Sequence, residues 1–234
     1  MQLAKVTYMR HRWTLLGMIG SLLVASCSGS SPSAEPVGSE TVTFQTSDGE
    51  TLEATHVGTG TTGVVIVHGS NANRTNWYDA GGQIAAAGFQ VLIVNLRGTG
   101  ESTGTRRTEQ DTDILAAAAW LDDHGAQKIA LIGSSMGATS VLVAATERPV
   151  AAVVALSPPQ RSFAMDAVAA APKITAPVML FAAEKDTTFA ESTTALGKLL
   201  NVEPHIVSGA GHGTGMFADN PNVIVDIITF LGSV

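Results

Sequence analysis

Short apolar runs alternate with longer segments of mixed character from Thr41 to the end of the chain. The first two runs, Thr41–Thr46 and Thr51–Val57, alternate polar and apolar residues around a Ser-Asp-Gly turn signal, which predicts an antiparallel hairpin. The third run, Val64–Val67, is continuously β-branched, as is typical of a strand buried on both faces. Five further runs complete a set of eight predicted strands: Phe89–Val94, Lys128–Ile132, Val150–Leu156, Val178–Ala182 and His205–Val207.

Segments of helical length separate most of these strands, and one more follows the last of them. The predicted helices are Trp77–Ala87, Thr108–His124, Met136–Glu147, Glu191–Leu200 and Val223–Leu231. Strands that alternate with helices favour a mostly parallel sheet that carries helices on both faces. The sequence therefore predicts an α/β fold with a mostly parallel, eight-stranded sheet.

The composition is consistent with one such domain. The chain has 234 residues, of which 45% are hydrophobic, so it can bury one good core and a second domain is not expected. Its formal net charge of −7 argues against nucleic acid as a partner, because phosphate binding needs a basic surface. The only cysteine is Cys27, which excludes a disulfide bond within the chain.

The beginning of the chain has the features of an export signal. Lys5, Arg10 and Arg12 precede a hydrophobic stretch at residues 13–25 that is too short to span a bilayer comfortably. The stretch leads into Val-Ala-Ser-Cys27, which resembles the bacterial lipobox of one aliphatic residue, two small residues and cysteine. That resemblance implies cleavage before Cys27 and attachment of diacylglycerol to its sulfur. An ordinary secretory signal with an incidental cysteine is the alternative.

One pentapeptide contains a candidate nucleophile. Gly-Ser-Ser-Met-Gly at residues 133–137 lies between a predicted strand and a predicted helix. A Gly-x-Ser-x-Gly turn in this context projects its middle serine, here Ser135, above the sheet from a strained backbone. Side chains two residues to either side of the serine would clash in so sharp a turn, which explains why positions 133 and 137 are glycine. A plain Gly/Ser turn is the alternative, since this chain is rich in both residues.

A serine nucleophile needs a base, and the base needs an acid that orients it. Asp186 follows the apolar run at residues 178–183, and His212 follows the strand predicted at residues 205–207. Both lie beyond the carboxyl end of a predicted strand, where open parallel sheets place their ligand sites. Glu184, two residues before Asp186, is an alternative acid.

From about residue 41 onward the chain resembles the α/β-hydrolases of the serine esterase type. The order Ser135, Asp186, His212 is the order of that family. His68-Gly69 ends the third predicted strand, as in the family's His-Gly oxyanion motif. The loop at residues 95–102 matches the family's Asp-x-Arg-Gly-x-Gly-x-Ser pattern, except that its first residue is asparagine.

The resemblance implies roles for individual residues. The backbone N–H groups of Ser70 and Met136 would bind the oxyanion, and His68 would shape that turn rather than act as a base. Asn95 replaces the usual aspartate, a departure that affects loop packing rather than the triad. Ala183 stands where the family often has glycine before the turn of the acid.

The function implied is that of a serine hydrolase that cleaves carboxylic esters of small molecules through an acyl-enzyme intermediate. Ser135 would be the nucleophile, His212 the base and Asp186 the acid that orients it. No cofactor is implied, and the His, Asp and Glu residues do not fall at zinc-ligand spacings, so no metal is expected. An acyltransferase, a thioesterase or a peptidase on the same triad is one alternative, and a non-catalytic binding lipoprotein is another.

The predicted cleft is open. Only residues 157–176 separate the sixth and seventh predicted strands, where many relatives insert a cap domain. Such a connector allows one short helix and no large lid, which favours short-acyl or accessible esters. Asn71, Asn73, Trp77 and Met216 are candidates for lining the cleft; the alternative is that they are ordinary loop and helix-start residues.

Three segments make up the expected organisation. Residues 1–26 are a lipoprotein signal peptide, residues 27–40 a flexible tether and residues 41–234 the α/β-hydrolase catalytic domain. We therefore expect an exported protein that a lipid anchors to the outer side of a bacterial membrane. The motifs indicate neither the natural ester nor the oligomeric state.

Overall fold

The structure, a computed structural model, describes residues 34–234 of the chain. Its strands are β1 (Glu40–Gln45), β2 (Thr51–Val57), β3 (Thr62–Val67), β4 (Gln90–Asn95), β5 (Lys128–Ser134), β6 (Ala152–Leu156), β7 (Arg161–Ser162), β8 (Met165–Asp166), β9 (Val178–Ala183) and β10 (His205–Val207). Eight of them form one sheet in the order β1-β2-β4-β3-β5-β6-β9-β10, and β7 and β8 form a separate small hairpin. The predicted eight-stranded sheet is confirmed.

The strand pairing is antiparallel at one edge of the sheet and parallel elsewhere. β1 and β2 form the predicted hairpin, in which Glu40 lies opposite His56 and Gln45 lies opposite Thr51. β2 also runs antiparallel to β4, whereas every pair from β4 across to β10 is parallel. The parallel strands therefore end at one common edge of the sheet, where their following loops meet.

The helices are α1 (Tyr78–Ala86), α2 (Gln110–Asp123), α3 (Met136–Ala144), α4 (Ala167–Ala170), α5 (Thr187–Leu200), α6 (Met216–Asp219) and α7 (Asn222–Gly232). The strands β3, β4, β5 and β6 are buried along nearly their whole length. Helices on both faces of the sheet account for this burial, as the continuous apolar runs of these strands predict.

Alternate residues of the central strands pack into two cores, one on each face of the sheet. Val65 and Val67 of β3 pack on the side of α2 and α3, together with Ile114. Val64 and Ile66 pack on the opposite side, in a core that α1 and α7 complete. The four side chains from Val64 to Val67 are all fully buried, so the strand is held in register from both sides.

Two helix boundaries differ from the prediction by more than two residues. α5 begins at Thr187, four residues before the predicted Glu191, directly after the candidate acid Asp186. The first turn contains Thr187 and Thr188, whose low helix propensity conceals the start of the helix. α3 ends at Ala144 rather than Glu147, and the hydroxyl of Thr146 donates a hydrogen bond to the carbonyl oxygen of Val143 at its end (2.8 Å).

The connector between β6 and β9 contains no cap domain. It consists of the β7–β8 hairpin, the single turn α4 and a 3-10 turn at Ala171–Lys173. The expected short helix is present, but the hairpin was not predicted. Strands of two residues are too short to show alternation in a sequence.

The proposed signal peptide (residues 1–26), Cys27 and residues 28–33 of the proposed tether lie outside the described residues. Residues 34–39 precede β1, and the hydroxyl of Thr55 donates a hydrogen bond to the Glu35 carboxylate (3.4 Å). Within residues 34–234, no helix is both long enough and apolar enough to cross a membrane.

Candidate active site

Ser135 stands on a sharp turn between β5 and α3. Its φ of 52° and ψ of −121° are unusual for a residue other than glycine, and its N–H donates a hydrogen bond to the carbonyl oxygen of Leu156 (2.8 Å). A Cβ at Gly133 would overlap the carbonyl of Gly137, and a Cβ at Gly137 would lie 2.5 Å from the carbonyl oxygen of His68. The steric need for both glycines is therefore confirmed.

The structure brings Asp186 to His212. Oδ2 of Asp186 lies 2.7 Å from Nδ1 of His212, and the two side chains are 15% and 39% exposed. A carboxylate at this distance favours the tautomer that carries its proton on Nδ1, which leaves the lone pair of Nε2 for another partner. Glu184, the alternative acid, is exposed at the surface, and its backbone N–H donates a hydrogen bond to the carbonyl oxygen of Val207.

The loop of His212 is held by close backbone packing. The N–H of Gly213, which has a φ of +55°, donates a hydrogen bond to Oγ of Ser157 (3.0 Å). A Cβ at Gly211 would lie 2.5 Å from the backbone of Gly215, so this loop needs glycine there. The ring of Phe189 on α5 lies against the imidazole of His212, with 4.1 Å between the ring centroids.

Ser157 is the residue of this site that sequence reasoning missed. It directly follows β6 and is fully buried, with a φ of 49° and an N–H that donates to the carbonyl oxygen of Phe181 (2.7 Å). Its hydroxyl therefore reaches the His212 loop, which follows β10, from a strand two positions away in the sheet. A polar residue at the carboxyl end of a parallel strand was the available signal.

His68 supports the turn that holds Ser70. Nδ1 of His68 lies 2.7 Å from the carbonyl oxygen of Gly69, and its Nε2 accepts a hydrogen bond from the N–H of Leu96 (3.2 Å). Burial lowers the pKa of His68 to about 4, so the ring is neutral at physiological pH. Both ring nitrogens are engaged with backbone groups, which is the arrangement of a structural histidine.

The predicted oxyanion donors belong to the two turns that meet at Ser135. Gly69 approaches Ser135 so closely that a Cβ at position 69 would lie 3.1 Å from Cβ of Ser135, and Ser70 follows it directly. Met136 is the first residue of α3, where a backbone N–H has no partner within the helix. The two N–H groups therefore come from the loops after adjacent strands, β3 and β5.

Gln110 holds the beginning of α3. This fully buried residue lies at the start of α2, and its Nε2 is 2.9 Å from the sulfur of Met136. Its Oε1 accepts a hydrogen bond from the hydroxyl of Ser140 (2.9 Å). Gln110 thus links the helix that begins at the candidate oxyanion donor to the neighbouring helix.

The departure at Asn95 has a structural explanation. Nδ2 of Asn95 donates a hydrogen bond to the carboxylate of Glu53 (2.8 Å), and Oδ1 accepts one from the N–H of Arg74 (2.8 Å). Glu53 also forms an ion pair with the side chain of Arg74. Burial disfavours ionisation of Glu53, but hydrogen bonds from Arg74, the N–H of Glu101 and Asn95 outweigh it, so the pKa of Glu53 is lowered. An aspartate at position 95 would place a second carboxylate against Glu53.

The four candidates for lining the cleft have different surroundings. Trp77 and Met216 are fully buried in the core beside α1 and α7, so the expectation that they line the cleft is wrong. Large apolar side chains near a site more often complete the core. Asn73 caps the 3-10 turn at Arg74–Trp77. Asn71 accepts a hydrogen bond from Nη2 of Arg107 (3.3 Å).

No metal site is evident in this part of the molecule. Among residues 34–234, no group of three or more His, Cys, Asp or Glu side chains is arranged to hold a metal ion.

Comparison with known proteins decides the fold. Residues 63–171 match the family described as alpha/beta hydrolase fold. The esterase Pf2001 of Pyrococcus furiosus superposes with a TM-score of 0.71 at 20% identity, over 83% of this chain and 92% of that one. The chain has the α/β-hydrolase fold. Another solved α/β structure, the esterase EaEST of Exiguobacterium antarcticum, superposes with a TM-score of 0.69 at 16% identity, over 82% of this α/β-hydrolase chain and 100% of that one.

Curated relatives of this α/β-hydrolase chain match over a shorter region. A protein of Burkholderia vietnamiensis named 2-hydroxy-6-oxononadienedioate/2-hydroxy-6-oxononatrienedioate hydrolase is 33% identical over 97 residues, which are 39% of this chain and 34% of that protein. The protein of the same name from Cupriavidus pinatubonensis is 30% identical over 112 residues, 44% of this chain and 38% of that protein. The match thus spans between a third and two fifths of the relatives' length.

Proposed function

We propose that this protein is a serine hydrolase that cleaves carboxylic esters through an acyl-enzyme intermediate. The observation that carries the proposal is the 2.7 Å contact between Asp186 and His212. This pair lies at the same edge of the sheet as Ser135, whose strained backbone is typical of a nucleophile elbow. Acyl transfer by a serine needs an exposed nucleophile and a histidine whose tautomer a carboxylate sets. A strained backbone at a residue other than glycine is typical of such a nucleophile.

In the first half of the proposed reaction, Nε2 of His212 takes the proton of the Ser135 hydroxyl. Oγ of Ser135 attacks the ester carbonyl carbon, and the carbonyl oxygen becomes a tetrahedral oxyanion that accepts hydrogen bonds from the N–H groups of Ser70 and Met136. The alcohol leaves with the proton that His212 returns to it. Asp186 stabilises the imidazolium that exists between these two proton transfers.

In the second half, water takes the place of the alcohol. His212 removes a proton from the water, whose oxygen attacks the acyl-enzyme carbonyl and forms a second tetrahedral oxyanion. Collapse of this intermediate breaks the bond to Ser135, and His212 returns the proton to Oγ. The products are a carboxylic acid and the free enzyme.

The proposed substrates are short-acyl or accessible esters. The connector at residues 157–176 contains only a small hairpin, one helical turn and a 3-10 turn, so no cap domain covers the serine from this side. Acyltransferase, thioesterase and peptidase activities on the same triad are the enzymatic alternatives, because a fold does not determine its substrate. The names of the curated relatives add 2-hydroxy-6-oxo-dienedioates to the substrates to be tested.

The first test is hydrolysis of p-nitrophenyl esters of increasing acyl length by residues 28–234. Replacement Ser135→Ala should lower kcat by at least about 1,000-fold, because the nucleophile is lost. Ser134→Ala is the matched control, since it removes the neighbouring hydroxyl of a buried residue and should retain activity. Equal rates in the Ser135→Ala variant and the wild type would contradict the nucleophile assignment.

A fluorophosphonate probe separates the alternatives. Labelling of the wild type without turnover of any ester would indicate a working nucleophile with another substrate. Absence of both labelling and turnover would favour the non-catalytic binding lipoprotein.

We also propose that the protein is exported and anchored by a lipid on Cys27 to the outer side of a bacterial membrane. The lipobox-like Val-Ala-Ser-Cys27 sequence supports this proposal. In the full-length chain, Cys27→Ser should move the protein from the membrane fraction to the soluble fraction, whereas the adjacent Ser28→Ala should not. A Cys27→Ser variant that still needs detergent for extraction would contradict the anchor.

A further inference from the structure

Arg107 and Phe163 meet although they belong to loops after different strands. The guanidinium carbon of Arg107, in the loop after β4, lies 5.0 Å from the ring centroid of Phe163, at the tip of the β7–β8 hairpin. Both residues have a positive φ, 71° for Arg107 and 53° for Phe163. Strained residues other than glycine cluster at ligand clamps and active sites, so their meeting at one contact calls for an explanation.

Two short links connect this contact to the turn that carries Ser135. Nη2 of Arg107 donates a hydrogen bond to Oδ1 of Asn71 (3.3 Å). Gly69 packs against Ser135, and Asn71 follows Gly69 by two residues. The Cα atoms of Gly69 and Asn71 are therefore at most about 7.6 Å apart. On the other side, the hydroxyl of Thr139, in the first turn of α3, donates to the carbonyl oxygen of Pro159, four residues before Phe163 (2.7 Å).

The order of the strands places Ser135 between these two anchors. β5, which ends at Ser134, lies between β3, which leads to Asn71, and β6, which leads to Phe163. A side chain that contacts both Asn71 and Phe163 therefore reaches across the end of β5. Arg107 comes from the far side of β3, from the loop after β4.

The guanidinium of Arg107 has donors to spare. An arginine has five N–H donors, and Nε of Arg107 is buried without a hydrogen-bond partner. Within residues 34–234, the ion pairs of arginine involve Arg74, Arg97, Arg148 and Arg161, and none joins Arg107 to a carboxylate.

We propose that Arg107, supported by Asn71 and Phe163, binds a carboxylate carried by the substrate. The preferred substrates would then be monoesters of dicarboxylic acids, with the ester carbonyl at Ser135 and the free carboxylate at Arg107. This inference rests on the proposed esterase function. The planar guanidinium suits a carboxylate because two parallel hydrogen bonds can form, and the ring of Phe163 holds the guanidinium by a cation–π contact.

The test compares charged and neutral esters of equal length. The monomethyl esters of dicarboxylic acids with four to eight carbons are compared with the methyl esters of the matching monocarboxylic acids, and acid release is followed at constant pH. Arg107→Gln should lower kcat/KM for the charged esters by about 10- to 100-fold, mainly through KM, and change that for the neutral esters less than about twofold. The chain length with the largest effect reports the span between Ser135 and Arg107.

Arg106→Gln is the matched control, because it removes the same charge from the adjacent, exposed residue. It should affect charged and neutral esters alike. A loss in Arg107→Gln that is equal for both classes, or a loss in Arg106→Gln of the same selectivity, would overturn the proposal.

A binding measurement separates this proposal from the esterase proposal. Adipate and hexanoate are titrated into the wild type and into Arg107→Gln by calorimetry. Tighter binding of adipate that Arg107→Gln abolishes would support the carboxylate site even if no ester were hydrolysed, a result that would reject the esterase function alone. Equal affinities of the two proteins for adipate would reject the carboxylate site.

Discussion

At the scale of single residues, the hydroxyl of Ser157 links the end of β6 to the loop of the candidate base. It accepts a hydrogen bond from the N–H of Gly213, the residue after His212, and it is fully buried on a strained backbone. Serine at this position satisfies a donor of the loop after β10, which lies two strands away from β6 in the sheet. Ser157 therefore acts as a positioning residue.

Ser157→Ala should lower kcat for ester hydrolysis by about tenfold. Leaving the N–H of Gly213 without a hydrogen-bond partner costs roughly 1 to 3 kcal/mol of stability, and the His212 loop shifts as a result. The strain at φ 49° is unchanged, since alanine and serine both carry a Cβ. The measurement is kcat together with the denaturant midpoint of unfolding.

Ser192→Ala is the matched control for this variant. The hydroxyl of Ser192 is also buried, and it donates to the carbonyl oxygen of Pro158, the residue after Ser157, without contacting the His212 loop. It should cost a similar free energy of unfolding and leave kcat unchanged. Similar kcat values for the two variants would show that Ser157 contributes only to stability.

At the scale of elements, the nucleophile elbow packs directly against the turn after β3. A Cβ at Gly137, within the first turn of α3, would lie 2.5 Å from the carbonyl oxygen of His68. Gly82, inside α1, has only ordinary contacts, the nearest being Cβ of Pro36 at 3.5 Å. The two glycines therefore offer a matched pair within helices.

Gly137→Ala should destabilise the fold by more than about 2 kcal/mol and abolish ester hydrolysis, because the backbone of His68 has to move. Gly82→Ala should stabilise the fold by up to about 1 kcal/mol, because alanine favours a helix more than glycine does. Urea unfolding of both variants measures the difference. A Gly137→Ala variant with unchanged stability and activity would contradict the close packing described here.

The sequence predicted elements that have a strong periodic signal and missed those that do not. All eight strands of the sheet were predicted because β3 and its neighbours are continuous apolar runs. The β7–β8 hairpin was missed, because its strands contain two residues each. The structure brings Asp186 to His212 as predicted, although 26 residues separate them, because the order of the family's motifs marks both. No motif marks Ser157 or Gln110, so their contacts with Gly213 and Met136 were not predicted.

At the scale of the whole molecule, two buried groups change the stability with pH in opposite directions. Burial lowers the pKa of His68 to about 4, so stability is lost as the pH falls from about 6.5 towards 4, where the unfolded chain binds the proton first. Burial raises the pKa of Asp113 to about 6 despite the hydrogen bonds from Arg97. That carboxyl group contributes stability at low pH that is lost as the pH rises from about 3.9 to 6.

His68→Gln should reveal the contribution of the histidine to the pH dependence of stability. The free energy of unfolding of the wild type should fall relative to that of the variant by about 2 to 3 kcal/mol as the pH drops from 7.5 to 4.5. The reason is that only the wild type carries the buried histidine. The measurement is urea unfolding at several pH values. The difference between the wild type and Ser192→Ala, a change without a titratable group, should stay constant; a constant difference for His68→Gln as well would contradict the linkage.

The contact between Gly137 and His68 separates the chemistry of this molecule from its choice of substrate. The loops after β3 and β5 interlock, so the distance between the candidate nucleophile and the proposed oxyanion donors follows from the spacing of two adjacent strands. Arg107 and Phe163 belong to loops outside that interlocked pair. Exchange of those two loops between related proteins is therefore a route to new substrate ranges that leaves the reaction itself intact.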